Sequence, residues 1–187
     1  MKDEIKKTVE ILKNGGIILY PTDTVWGIGC DATNAAAVEK IYKLKQRNDN
    51  KSMLVLVDTA DRISRHVKQI PNIAPDLIDL SDTPLTIIYP QATNLAPNLI
   101  AEDGTIGIRV AHHEFCKQLI FALNRPLVST SANISGEKAA KTINEISQEI
   151  IKNVDFIVNK KFEGNPTYKP SAIIKLGLKN EVEVIRK

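Results

Sequence analysis

The chain has 187 residues, of which 43% are hydrophobic and 25% are charged, a composition typical of a globular protein with its own core. A formal net charge of +3 permits contact with nucleic acid but is too small to demand it. Two cysteines without a CxxC spacing argue against a disulfide framework or a zinc site and favour a reducing cytoplasm. No apolar run indicates a signal peptide or a membrane span.

Helices and strands are intermixed along the chain. Apolar spacing predicts helices over residues 3–13, 35–45 and 114–124, short helical stretches over 59–69 and 73–80, and a helix over 143–152 opened by a capping box of Thr142 and Glu145. Runs of β-branched and apolar residues predict strands over 17–20, 53–57, 83–89, 105–110 and 126–130, and three more in FIV, SAIIKL and EVEVIRK. This mixture predicts one α/β domain over residues 1–187, with a sheet of mixed parallel and antiparallel direction and helices on its faces.

Two polar stretches stand next to predicted strands. YPTDTVWGIGCDA (20–32) lies between a strand and a helix, where α/β proteins bind ligands, although its threonines and aspartate could instead cap a turn. STSANISG (129–136) has five hydroxyl or amide side chains at the exit of a strand. These groups could hold phosphate oxygens or a purine edge, or they could simply cap the turn from strand to helix.

Two further stretches are basic. KLKQRNDNKSM (43–53) carries four cations close together, Lys43, Lys45, Arg47 and Lys51. In loop backbone Lys45 and Arg47 would point the same way and could clamp an anion, whereas at a solvated helix end they would only complement the helix dipole. In TIGIRV (105–110), Thr105, Gly107 and Arg109 share one face of a strand. That face is either a surface that meets an anion or a solvated side of the sheet.

Other signatures of chemistry are absent or weak. The sequence has no GxxxxGK[ST] loop and no GxSxG elbow, and the adjacent histidines of AHHEF (111–115) cannot all aim at one ion. We therefore expect no dedicated metal site, and any magnesium would come with the phosphates of a nucleotide.

Taken together, the four stretches resemble the YrdC-like family of threonylcarbamoyl-AMP synthases, in the family's order and over about residues 8–175. The family's K-x-R motif falls on Lys45 and Arg47, and its S-x-N motif falls on Ser131 and Asn133. The resemblance implies a twisted sheet around a deep, positively lined, concave cavity. It also implies that L-threonine, bicarbonate and ATP give threonylcarbamoyl-AMP and pyrophosphate. The product would serve the threonylcarbamoyladenosine modification of tRNA, which a partner complex completes.

The resemblance also implies roles for single residues. It makes Lys45 and Arg47 the catalytic pair. For ATP binding it implies Arg47, Lys51, Thr105, Asn133, Lys141 and Arg186, and for L-threonine binding it implies Thr24, Arg109, Ser131 and Ser171. The sequence departs from the family pattern at Ser52 (usually Pro), at Trp26 (usually Tyr) and at SDTP (often a PGP-like turn). The length matches the short, single-domain form of the family.

Two other functions fit parts of the same sequence. The Lys/Arg cluster and the net charge also suit a double-stranded RNA or tRNA-binding module acting in ribosome or tRNA maturation, although the hydroxyl-amide loop suits a small ligand better. The other alternative is a carbamoyl-adenylate-forming enzyme, because similar domains occur inside larger carbamoyltransferases. The length of the chain argues against it.

Overall fold

The structure, a computed structural model, describes residues 1–46 and 53–187. In these ranges the α-helices are α1 (Lys2–Lys13), α2 (Ala35–Leu44), α3 (Ala74–Asp79), α4 (Glu114–Leu123) and α5 (Gln148–Asn153). The strands are β1 (Ile18–Tyr20), β2 (Gly27–Gly29), β3 (Leu54–Val57), β4 (Leu85–Tyr89), β5 (Ile106–Val110), β6 (Leu127–Ser131), β7 (Phe156–Ile157), β8 (Ala172–Leu176) and β9 (Val182–Arg186).

The strands of the described residues form one sheet with the order β7-β1-β2-β6-β3-β5-β4-β8-β9. β7 runs parallel to β1, β5 to β3 and β8 to β4, whereas the other neighbouring pairs are antiparallel. The prediction of an α/β fold with a sheet of mixed direction is therefore confirmed. That residues 1–187 make a single domain stays a prediction.

Helices pack on both faces of the sheet. On one face, Leu12 of α1 and Phe115 of α4 pack in one cluster with Tyr20 and Leu56 from the strands. On the other face, apolar residues of α2, α3 and α5 pack over the alternate strand positions, such as Val55. None of the helices in the described ranges combines the length and the hydropathy that crossing a membrane would require.

Helices α1 and α4 leave part of their face of the sheet uncovered. Arg109 in β5 lies beside Leu56 in β3 and beside Thr86 in β4. Residues opposite each other on paired strands share a face, so Arg109 and Thr86 lie on the same face as the α1–α4 cluster. Both are buried, and both line a cavity. The cavity therefore occupies this face where the sheet is formed by β4, β5 and β8.

The predicted helix over 143–152 is wrong in its first half. A 3₁₀ turn covers Ile143–Glu145, and α5 begins only after an extended residue, Ile146. The side chains of Thr142 and Glu145 are hydrogen-bonded to each other (3.3 Å), but they do not open a continuous helix. Ile146 is buried, and the next residue, Ser147, is the N-cap of α5, because its hydroxyl accepts the backbone N–H of Ile150 (3.4 Å).

Two other predictions change in detail, and one strand was not predicted. The stretch 59–69 contains a 3₁₀ helix over Ala60–Arg65, and α3 is shorter than predicted by a residue at each end. GIG (27–29) forms β2, which lies between β1 and β6. A Cβ added at Gly29 would lie 2.5 Å from the Val128 carbonyl oxygen, so only glycine lets these strands approach so closely.

Candidate active site

A cavity of about 630 Å³ opens on the uncovered part of the sheet. Its floor comes from β4, β5 and β8, and its walls come from the loop after β1, the end of β6, residues 101–105 and residues 170–171. Six of the predicted site residues line it: Thr24, Thr105, Arg109, Ser131, Ser171 and Arg186. The fold thus brings together side chains that lie up to 162 positions apart in the sequence (186 minus 24).

Arg109 is the buried cation of the cavity. Its side chain is only 3% exposed, and its Nη2 lies 3.0 Å from Oδ1 of Asp23. Its Nη1 donates a long hydrogen bond (3.4 Å) to Oγ1 of Thr24. Its Nε is buried and has no hydrogen-bond partner among the described residues. A guanidinium fixed in the lining of a cavity suits an anionic ligand group such as a carboxylate.

The loop that carries Thr24 is a tight turn held by its own threonines. The hydroxyl of Thr22 accepts the backbone N–H of Thr24 (3.0 Å) and donates to the carbonyl oxygen of Val25 (2.7 Å). The hydroxyls of Thr22 and Thr24 are 2.9 Å apart. These residues therefore cap a turn, as one alternative had it, and because they also line the cavity, ligand binding by this stretch stays a prediction.

Ser171 joins the floor of the cavity to the last strand. Its hydroxyl shares a hydrogen bond with Oγ1 of Thr86 (2.8 Å), and its carbonyl oxygen accepts from Nε of Arg186 (2.9 Å). Burial and, to a smaller extent, the nearby charge of Arg109 lower the pKa of Arg186. Two guanidinium groups therefore lie close enough in one cavity to repel each other, an arrangement that an anionic ligand would relieve.

An irregularity in β9 brings Arg186 to this position. Ile174 pairs with Val184, but Ile173 pairs with Arg186. Ile173 lines the cavity, and regular pairing would place Ile185 opposite it. Because of the bulge, Arg186 instead of Ile185 lies opposite Ile173. Bulges commonly redirect a side chain in this way next to a site.

Thr105 lines the opposite wall. Its hydroxyl donates to Oδ1 of Asp103 (2.6 Å), whose other oxygen lies 2.7 Å from Nζ of Lys175. The hydrogen bond from Lys175, followed by that from Thr105, lowers the pKa of Asp103 to about 2. Because the Thr105 proton is engaged, its oxygen is available to a ligand mainly as an acceptor.

Lys45 holds the loop at the exit of β6. It is 1% exposed, and its Nζ donates to the carbonyl oxygens of Ser131 and Asn133. Its own carbonyl oxygen accepts the backbone N–H of Ser135 (2.9 Å). Lys45 is not among the residues that line the cavity. Its predicted role as a catalytic residue stays a prediction, and the structure gives it a role in shaping the loop that carries Ser131.

Asn133 and Lys141 are not among the residues that line the cavity. Asn133 donates its amide to the carbonyl oxygens of Ile134 and Glu137, and its Oδ1 has no partner among the described residues. Lys141 is exposed. The predicted ATP ligands Arg47 and Lys51, together with Ser52, lie outside the described residues.

The charges of the cavity are mixed in the part of the chain that the structure describes. Arg109 and Arg186 line it together with Glu102 and Asp103, so the expected positive lining stays a prediction. No group of three or more His, Cys, Asp or Glu residues in residues 1–46 and 53–187 could hold a metal ion. Magnesium that arrives on the phosphates of ATP remains the expectation.

Sequence reasoning missed two residues that organise the site. Asp23 was noted only as part of a motif, because nothing in the sequence pairs it with an arginine 86 positions away. Thr86 interrupts the apolar run LTII of β4, and this polar residue in a buried strand was the available signal.

Comparison with known proteins identifies relatives over most of the chain. Residues 10–187 match the model of the Sua5/YciO/YrdC family, which is described as "Telomere recombination". A protein of Methanocaldococcus jannaschii is 36% identical over 181 residues, which cover 94% of this chain and 83% of the relative. The threonylcarbamoyl-AMP synthase of Pseudoalteromonas translucida is 33% identical over 172 residues, which cover 90% of this chain and 91% of the relative.

Solved structures share the fold. E. coli YciO superposes with a TM-score of 0.83 at 26% identity, over 100% of this chain and 90% of YciO. Sua5 of P. abyssi, solved in complex with L-threonine, superposes with a TM-score of 0.84 at 24% identity, over 92% of this chain. The chain spans about half the length of that protein, 50%. From the family match and the relatives, the chain belongs to the Sua5/YciO/YrdC family.

Proposed function

We propose that the chain is a threonylcarbamoyl-AMP synthase. The observation that carries the proposal is Arg109, which Asp23 and Thr24 orient at the floor of a cavity of about 630 Å³. That volume lies in the range of sites for small molecules. The proposal is supported by the P. translucida relative, whose name is threonylcarbamoyl-AMP synthase and which this chain covers almost completely.

The proposed reaction needs no protein nucleophile. The amine of L-threonine takes up the carbon of bicarbonate with loss of water and becomes a carbamate. A carbamate oxygen then attacks the α-phosphorus of ATP, and the bond from that phosphorus to the bridging oxygen of pyrophosphate breaks. The protein contributes positioning of the two substrates and compensation of charge at the phosphates.

At the amino-acid end we assign the carboxylate of L-threonine to Arg109. Its guanidinium lines the cavity and is held in place by Asp23 and Thr24. The hydroxyls of Thr24, Ser131 and Ser171, which line the same cavity, would hydrogen-bond the rest of the amino acid. A related protein solved with L-threonine, P. abyssi Sua5, supports this assignment.

At the nucleotide end we assign Arg186 and Thr105, which line the cavity, together with Arg47, Lys51, Asn133 and Lys141. Arg186 and Arg109 line the same cavity, so a phosphate and a carboxylate would each have a guanidinium to bind. Lys45 and Arg47 are the proposed catalytic pair. Lys45 also holds the loop that carries Ser131 and Asn133.

Further parts of the proposal concern cofactor and partners. Magnesium would enter on the phosphates of ATP and neutralise part of their charge, since no dedicated metal site is found in the described residues. The product would pass to a partner complex that modifies tRNA, with tRNA itself a further candidate partner. This role places the protein in the cytoplasm.

The test is pyrophosphate release from ATP, magnesium and bicarbonate, with and without L-threonine, read by a pyrophosphatase-coupled phosphate assay. Threonine-dependent release, with L-serine as the control amino acid and with the adenylate identified by mass, would support the proposal. Release that needs no amino acid but requires an added carbamoyl donor, carbamoyl phosphate, would instead favour a carbamoyl-adenylate-forming enzyme. No release from folded protein that still binds tRNA would overturn the synthase and favour an RNA-binding module.

A further inference from the structure

The segment of residues 163–171, which we call the strap, crosses the loop that carries Thr24. The backbone N–H groups of Thr167 and Tyr168 donate to the carbonyl oxygens of Asp23 (2.9 Å) and Thr24 (3.0 Å). The strap ends at Ser171, which lines the cavity and leads directly into β8. It therefore touches two of the residues assigned to L-threonine, one through its backbone and one as its own last residue.

The beginning of the strap is fixed by an indole from the core. Trp26 is 1% exposed, and its Nε1 donates to Oε1 of Glu163 at 2.8 Å. The carbonyl oxygen of Glu163 is also 3.0 Å from Nε2 of His113. Gly164 follows with a φ of +64°, a conformation that glycine adopts without strain and that turns the chain sharply. Glu163 is thus held by its side chain and by its backbone.

The hydrogen bond from Trp26 to Glu163 joins the strap to the same loop that the strap covers. Trp26 ends the turn of residues 21–26, in which Thr24 and Asp23 orient Arg109. Phenylalanine would fill a similar apolar volume at this position, whereas only an indole N–H supplies the donor that reaches Glu163.

We propose that Glu163 is a positioning residue for the amino-acid end of the site, acting through Trp26 and the strap on Thr24 and Ser171. The inference rests on the proposed function, because it takes these two residues as contacts of L-threonine. At the nucleotide end, Arg186 contacts the strap through the carbonyl oxygen of Ser171, whereas Thr105 is held by Asp103, outside the strap. Loss of the Trp26–Glu163 hydrogen bond should therefore weaken the binding of L-threonine more than the binding of ATP.

The experiment compares Glu163→Ala, Glu163→Gln, Trp26→Phe and the double variant Trp26→Phe/Glu163→Ala in the pyrophosphate assay. Glu163→Ala and Trp26→Phe should each raise the KM for L-threonine about tenfold and leave the KM for ATP within about twofold. Glu163→Gln should restore a KM near that of the wild type, because the amide oxygen still accepts from the indole. The double variant should be no worse than either single variant, since both remove the same contact.

A second readout follows the strap without turnover. In the ligand-free protein, Glu163→Ala should speed hydrogen exchange at the amides of Thr167 and Tyr168, and Glu163→Gln should not. If the wild type is active and Glu163→Ala has an unchanged KM for L-threonine, the inference is overturned and the proposed function stands. Equal losses for L-threonine and ATP would also overturn it, because they would indicate a general structural role. A wild type without threonine-dependent release would overturn the proposed function, and the inference with it, even if exchange behaved as expected.

Discussion

Arg109 and Asp23 form a buried ion pair that serves folding and, in our proposal, binding. Their side chains are 3% and 11% exposed, and their nearest nitrogen and oxygen are 3.0 Å apart. Removing one partner of such a pair leaves an uncompensated buried charge. We expect Arg109→Ala to lower the free energy of unfolding by about 3–5 kcal/mol and to abolish threonine-dependent pyrophosphate release. Urea unfolding and the coupled assay measure the two effects.

The double variant Arg109→Ala/Asp23→Asn separates folding from binding. Without the aspartate charge, the double variant should recover about 1–2 kcal/mol relative to Arg109→Ala. It should remain inactive, because the donor assigned to the L-threonine carboxylate is still missing. Recovery of turnover together with stability would show that Arg109 acts only through folding and would remove it from the site.

Lys45 offers a second test at the scale of one residue. Its ammonium group donates to two backbone carbonyl oxygens of the loop after β6. Lys45→Met keeps much of the side-chain volume but removes these donors, so we expect a loss of about 2–3 kcal/mol in the free energy of unfolding, together with lower activity. Lys43→Met, in the last turn of α2, is the matched control. Lys43 is exposed, and its ion pair with Glu39 lies on the helix surface, so its loss should change stability by less than about 0.5 kcal/mol. Equal stability of the two variants would contradict the structural role of Lys45.

At the scale of elements, β2 depends on two glycines that are unequally constrained. A Cβ at Gly29 would lie 2.5 Å from the Val128 carbonyl oxygen and 2.7 Å from the ring of Tyr20, whereas the closest atom to a Cβ at Gly27 would be 3.3 Å away. We expect Gly29→Ala to lower the free energy of unfolding by about 3 kcal/mol. Gly27→Ala should cost less than about 1 kcal/mol, because small shifts accommodate its methyl group. Thermal unfolding followed by circular dichroism measures both, and similar midpoints for the two variants would refute the close packing of β2.

The elements that the sequence predicted well are those with a strong periodic pattern. Helices α1, α2 and α4 and the apolar strands β3, β4 and β5 were found close to their observed bounds, because burial of alternating or helical faces dominates there. β2 was not predicted, because it is three residues long and two of these residues are glycine. The capping box of Thr142 and Glu145 predicted the start of the helix wrongly, because a local hydrogen bond carries no information about the burial of Ile146 in the folded chain.

The site shows the same division. Four of the residues that line the cavity, Thr24, Thr105, Arg109 and Ser131, lie in motifs next to predicted strands, and the family resemblance added Ser171 and Arg186. The pairing of Asp23 with Arg109, and the bulge that turns Arg186 inward, depend on strand order and register. The spacing of residues in the sequence determines neither strand order nor register, so neither feature could be predicted before the sheet was known.

At the scale of the whole molecule, the cavity exists because α1 and α4 cover only part of one face of the sheet. A ligand there would contact β4, β5 and β8 and the strap at once, and so would join elements that are distant in sequence. Ligands that bind only the folded state stabilise it by mass action. L-Threonine should therefore raise the temperature of unfolding even without turnover.

With L-threonine at about 100 times its Kd, the added stability should be about 2.7 kcal/mol, which for a chain of this length corresponds to a rise in Tm of roughly 5–10 °C. Differential scanning fluorimetry at several L-threonine concentrations measures it, with glycine as the control that has the same carboxylate and amine but no side chain. The double variant Arg109→Ala/Asp23→Asn should show no rise, because it lacks the guanidinium that we assign to the carboxylate. An equal rise with glycine would contradict a site built for the threonine side chain, and an equal rise in the double variant would place L-threonine elsewhere on the protein.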